Sequence, residues 1–313
     1  MSTKLSIVQK QTLQDNEVLL RNANDLLSAK QAIEAIQRVF IDQRDHHRLL
    51  QAKLYYYELF LNVGKTDEAV AGFEVVNQRA KKGTRTFLES SAFLGICYLR
   101  LKKVDKAKIH IRIVVENTKN IKSDLRREQF YKRLINRVEE ECILSQLIGQ
   151  NQKLLDATEV HRISIDLVKK SESELLECIA LSLPPGTQAI MMEVSNYSIK
   201  LLPLSDQKRL PPPAPEIPKT ELGKKALAAL KRIGWKSFCD KSSNLFQLWS
   251  KGIPKVFSEG YFSLAVVTTL NEWKIGLPQL AAGIAATAMR FGCAEFCSQF
   301  KPDGLMIPRA DKT

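Results

Sequence analysis

Between Leu54 and Val76 the chain reads LYYYELFLNVGKTDEAVAGFEVV, and this stretch restricts the fold more than any other. Leu54, Tyr57 and Leu61 recur at helical spacing, Gly64 interrupts them, and Ala69, Phe73 and Val76 resume the period. Two helices joined by so short a turn must pack antiparallel. A small residue such as Ala69 lets their backbones approach.

The same pattern occurs on both sides. Ala32 lies in KQAIEAI, Ala69 in DEAVAGF and Ala107 in DKAKIHI, at spacings of 37 and 38 residues. Four places beyond each stands Ile36, Phe73 or Ile111. Leu94-Gly95-Ile96-Cys97-Tyr98 precedes Ala107, and Tyr56, Tyr57 and Phe60 precede Ala69. With Leu94, Gly95, Tyr98 and Ala107, and with Phe60, Gly64, Ala69 and Phe73, the chain resembles the tetratricopeptide repeat over roughly residues 12–120. Its period is longer than the usual ~34 residues. The expectation is therefore a divergent array of three helical hairpins.

The resemblance also implies a partner groove on the first helix of each hairpin. Aligned through Gly64 and Leu94-Gly95, its lining is Leu54, Glu58, Leu61 and Asn62, then Glu89, Ala92, Ile96, Leu99 and Arg100. The lysine and asparagine set that clamps a peptide carboxylate in chaperone-binding members is missing. A mixed apolar groove for a helix or extended segment is expected instead.

Downstream, Ser123 can cap a helix reaching Gly149, with Leu134, Ile135, Val138 and Cys142 as its apolar stripe. This helix is expected to close the array, with Arg126, Arg127, Glu139, Glu140 and Glu141 on a solvated face. Alternation of His161, Ile163, Ile165 and Leu167 with polar residues predicts a strand over 160–167. Ser171 to Glu174 fits a capping box for a helix ending before Pro184-Pro185-Gly186. Ala189 to Val194 and Tyr197 to Leu202 read as two more strands, giving a small α+β segment over 151–207.

LPPPAPEIP, from Leu210 to Pro218, is stiff and extended in character. A linker over 208–219 should make 1–208 and 220–313 separable. Beyond it Lys224, Lys225, Lys231, Arg232 and Lys236 accompany the apolar stripe of Leu222, Leu227, Leu230 and Ile233. Such a basic amphipathic helix suits an anionic surface. Two uncharged runs follow, Tyr261 to Asn271 and Ile275 to Met289, each shorter than the roughly 20 residues a spanning helix needs. They predict two buried helices, the second beginning near Pro278, with Ala282, Gly283, Ala286 and Thr287 allowing close contact.

The fold class is thus mainly α: repeat-like hairpins with a capping helix over 1–150, a small α+β segment, a proline linker and a C-terminal helical domain over 220–313. A net charge of +13 favours an acidic partner. The six cysteines form no CxxC pair and read as buried thiols of a reducing compartment. The N-terminus lacks the apolar core of a signal peptide, so a cytoplasmic protein is expected, with peripheral membrane attachment as a variant. Adjacent His46 and His47 should point to different helix faces, and no set of residues suggests a metal, a cofactor or a catalytic centre. The sequence reads as a non-enzymatic scaffold or adaptor. Its repeats would bind a protein partner, and its basic C-terminal domain would assemble with copies of itself or contact an anionic membrane surface. Two other classes stay open: a membrane effector whose C-terminal helices insert, and a nucleic-acid-binding protein.

Overall fold

The computed structural model describes residues 5–23, 25–149, 154–210, 216–239, 246–247, 260–299 and 305, and every regular element among them is helical. The chain forms two compact units, one of Met1–Leu134 with Ser198–Gln207, the other of Ile135–Tyr197 with Lys208–Thr313.

The first unit is a run of helical hairpins. α1 (Ile7–Asn22) packs on α2 (Leu26–Val39), α3 (His47–Asn62) on α4 (Thr66–Arg79), and α5 (Arg85–Arg100) on α6 (Val104–Asn117). α3 also touches α1 and α5, so the first helices of successive hairpins share a layer. The architecture is compatible with a helical repeat fold. Ala32, Ala69 and Ala107 are buried, as are Ile36, Phe73 and Ile111 four residues on. Gly95 lies against Ala107 and Ile111, and Phe73 stacks on Phe93 at 4.6 Å. Gly72 is needed as glycine, because a Cβ there would lie 2.2 Å from the Tyr57 ring.

The hairpin turns repeat as well. Gly64, at φ +84°, lets the Lys65 N–H reach back to the Phe60 carbonyl at 2.9 Å. One hairpin later Lys102 adopts φ +59°, and the Lys103 N–H reaches Tyr98 at 2.8 Å. A 3-10 turn over Thr118–Asn120 leads into α7 (Asp124–Leu147). Ser123 accepts from the Arg126 N–H at 3.4 Å, as expected of its cap. Phe130, Tyr131 and Leu134 are buried, with the Tyr131 hydroxyl on Thr118.

The middle segment is helical, which corrects the α+β expectation. α8 (Ala157–Val168), α9 (Glu172–Leu181) and α10 (Thr187–Lys200) replace the strands. In α8 the buried residues are Val160, Ser164 and Leu167, a helical stripe, while Ile165 is exposed. Asp156 caps α8 through the Glu159 N–H at 2.8 Å. In α10 the buried stripe is Met191, Val194, Ser195 and Ser198. The Ser171–Glu174 capping box stands as read.

The second unit joins helices from both sides of the proline stretch, whose residues 211–215 lie outside the described ones. After the short α11 (Leu204–Gln207) come α12 (Lys219–Cys239), α13 (Tyr261–Glu272), α14 (Pro278–Phe291) and α15 (Cys293–Gln299). α12 packs on α9, α13 on α8 and α14, and α14 on α8 and α9. At Gly223 the α12 backbone meets that of α9, where a Cβ would fall 2.1 Å from the Leu176 carbonyl oxygen. Gly283 leaves room in the same way for Ile179. Arg290 caps the end of α8 by donating to the Val168 carbonyl at 3.0 Å. Asn271 bonds both ways to the Leu155 backbone, at 2.9 and 3.4 Å.

Cys239 and Cys297 form a disulfide between α12 and α15, contrary to the reading of all cysteines as thiols. Residues 58 apart in sequence give no spacing signal for it. Among the described residues Cys97, Cys142 and Cys178 lie outside any disulfide. Among the described residues no helix is long and apolar enough to cross a membrane.

Candidate functional site

The hairpin unit carries a cleft of about 460 Å3 at the loop side of α2, α3 and α4. Four cations line it: Arg38, Arg44, Lys53 and Arg79, with Glu34 as the one carboxylate of the lining. Arg38 and Arg79 fall in the last turns of α2 and α4, where positive charge complements the helix dipole. Lys53 projects from α3. Arg44 comes from the loop 40–46, which Phe40 and His46 close by stacking at 4.2 Å. His46 also caps α3, its Nδ1 accepting from the Arg48 N–H at 3.3 Å. Its ring lies 4.5 Å from that of His47, so the two histidines meet rather than diverge.

The electrostatics of the cleft are unbalanced. Burial, then Arg79 and Arg44, push the Lys53 pKa down, and Asp45 opposes them. Asp45 pairs with Arg79 at 3.5 Å, but its side chain is 72% exposed. Such a pair holds little energy in water. The apolar part of the lining is Phe40 and Leu49, both buried, and Ile41, which is 65% exposed.

The residues expected to line a partner groove lie elsewhere, and most are interior. Leu54, Leu61, Glu89, Ala92, Ile96, Leu99 and Arg100 are buried, while Glu58 is partly exposed and Asn62 exposed. α5 is buried on every face from Phe87 to Arg100. Its polar groups serve the packing. Arg100 donates to the Leu61 carbonyl at the end of α3, at 2.7 Å. Asn77 donates to the Ser90 and Ser91 hydroxyls at 2.9 and 2.7 Å. Glu89 pairs with Arg85 at 2.6 Å and helps burial to raise the Tyr55 pKa to about 12.

The expected anionic-surface residues of α12 are largely engaged inside the second unit. Lys225 donates to Glu139 at 2.5 Å, and Arg232 to Glu140. Glu139 also accepts from Ser195 at 3.1 Å, and Arg137 pairs with Glu141 at 2.8 Å. The solvated acidic face expected of α7 is therefore interior at Glu139 and Glu141. Lys231 is half-buried, and desolvation lowers its pKa to about 8 although Glu140 opposes the shift. Burial and the nearby Arg137 likewise push Arg232 down. Lys224 is exposed, and the side chain of Lys236 lies outside the described residues.

Among the described residues no group of three His, Cys, Asp or Glu side chains is placed to hold a metal ion. Ser263 lies 3.3 Å from His161 Nδ1 and 3.4 Å from the Ser164 hydroxyl, but it is fully buried. Comparison with protein families, with curated proteins and with solved structures gives no match for this chain.

Proposed function

We propose that the protein is a non-enzymatic adaptor whose helical-hairpin unit binds an acidic segment of a protein partner in the cleft of Arg38, Arg44, Lys53 and Arg79. The observation that carries this reading is the convergence of those four cations on one cleft whose lining holds a single carboxylate. A concave, positively charged surface concentrates field and speeds capture of anionic partners. The exposed Ile41 adds an apolar contact for an extended segment. The adaptor reading thus moves from the face of α3 and α5 to the ends of α2 and α4. It also moves the anion-binding role away from α12, where Lys225 and Arg232 already have carboxylate partners.

The test replaces Arg38, Arg44, Lys53 and Arg79 together by glutamine. All four are at least partly exposed, so the variant should keep the wild-type circular dichroism and melting profile. Quantitative affinity purification then compares the partners retained. The reading predicts loss of acidic partners from the variant and return of binding when the cations are restored. An identical partner list from a folded variant would refute it.

A further inference from the structure

We infer that this cleft receives a phosphorylated serine or threonine side chain, its oxygens held by Arg44, Lys53 and Arg79 and a neighbouring apolar residue resting on Ile41. The inference rests on the adaptor reading above.

Two features select a phosphate. First, the cations come from three separate elements, a loop, α3 and the end of α4, so they surround a volume rather than line one helix face. A phosphomonoester brings close to two negative charges and three terminal oxygens to such a site. A carboxylate brings one charge and two oxygens. Second, the Lys53 ammonium is opposed by burial and by both arginines, while Asp45 offers only a loose, solvent-exposed pair. An incoming dianion relieves that repulsion and can displace Asp45.

The cleft, about 460 Å3, has room for residues flanking the phosphate as well as for the phosphate itself. A nucleic acid is a poorer fit, because binding of single strands relies on exposed rings for base stacking. The one aromatic ring in this lining, Phe40, is buried and already stacked on His46.

The experiment uses the full chain and three immobilised peptide pools with randomised flanks. One carries central phosphoserine or phosphothreonine, one the unmodified residue, and one glutamate. Wild type is compared with Lys53→Gln plus Arg79→Gln, and separately with Arg44→Gln in the loop. The expected result is retention on the phosphorylated pool at least about tenfold above both others, with apolar enrichment beside the phosphate. Loss of charge-assisted hydrogen bonds should lower that retention about tenfold or more in each variant. Equal retention on the glutamate and phosphorylated pools would overturn the phosphate inference and leave the adaptor reading intact. No retention on any pool, or retention unchanged in folded variants, would overturn both. Binding of phosphatidylserine vesicles or single-stranded RNA through these residues, without phosphopeptide binding, would also overturn the inference and reassign the partner class.

Discussion

Glu141→Gln is the sharpest perturbation of the second unit. Arg137 and Glu141 lie one turn apart on α7, with side chains 2% and 0% exposed and a separation of 2.8 Å. Among the described residues the Arg137 nitrogens find no hydrogen-bond acceptor, so the ion pair is what compensates its charge. With an effective dielectric of about 20, attraction at this distance is roughly 6 kcal/mol, set against several kcal/mol of desolvation for each ion. The pair itself therefore adds little net stability. Removing one charge leaves the other buried, which costs about 3–5 kcal/mol. Glutamine keeps the shape of the side chain and a carbonyl dipole beside the guanidinium, so the lower figure, about 3 kcal/mol, applies. Urea unfolding followed by tryptophan emission reads this unit selectively, because Trp235 and Trp273 belong to it and the stretches 1–134 and 198–207 of the first unit contain no tryptophan. With a slope of about 2 kcal/mol/M, the midpoint should fall by about 1.5 M. Arg137→Met with Glu141→Leu should return the midpoint to near wild type. Asp166→Asn breaks an exposed pair with Lys169, 66% and 71% exposed, and should shift it by less than a third as much. Equal small shifts for Glu141→Gln and Asp166→Asn would refute the account of the buried pair.

Other consequences can be checked with the same methods. Gly223→Ala sets a methyl group against the Leu176 carbonyl oxygen of α9, so it should destabilise the second unit by about 1–3 kcal/mol, read by the same urea curves. A neutral outcome would mean that α12 and α9 do not meet there. Lys102→Gly, at a left-handed turn, should stabilise the hairpin unit by about 1 kcal/mol, and a loss in far-ultraviolet thermal midpoint would contradict the turn geometry. Lys231 titrates near 8 in the fold and at its ordinary 10.5 when unfolded. The unfolded chain thus binds more protons between those values, and stability gains from this lysine as pH rises through that window. Wild type should therefore gain on Lys231→Met across it, and a constant difference would contradict the assignment.

Legibility in the sequence followed how local each signal was. The alanines at 32, 69 and 107, the Ser171–Glu174 box and the Pro278 start all depend on neighbours within a turn or two, and each is found where expected. α8 is ambiguous in the sequence because Ile163, Ile165 and Leu167 also satisfy a two-residue period. Its buried stripe contains Ser164, whose hydroxyl bonds back to Val160, so the helical period looked broken. Ser195 and Ser198 hid α10 in the same way. The groove that the repeat resemblance implies on α5 is not visible as packing in the sequence, because what covers these residues, such as the end of α3 where Arg100 donates to the Leu61 carbonyl, comes from other helices. The cleft was illegible for a related reason. Arg38, Arg44, Lys53 and Arg79 form no run in the sequence, and only the packing of two hairpins brings them together. The charge of Arg44-Asp45-His46-His47-Arg48 does not by itself reveal the cations that join Arg44.

The central claim is that partners enter the cleft of the hairpin unit. Site-specific photo-crosslinking in cells tests it most directly, with the photoreactive residue placed at Gln37 in the cleft lining or, for comparison, at exposed Asn62 and Lys224. The account predicts crosslinks from Gln37 to an acidic or phosphorylated segment, lost when Lys53 and Arg79 become glutamine, with few from Asn62 or Lys224. Partner crosslinks confined to Asn62 or Lys224, or unchanged at Gln37 after the cations are removed, would contradict it.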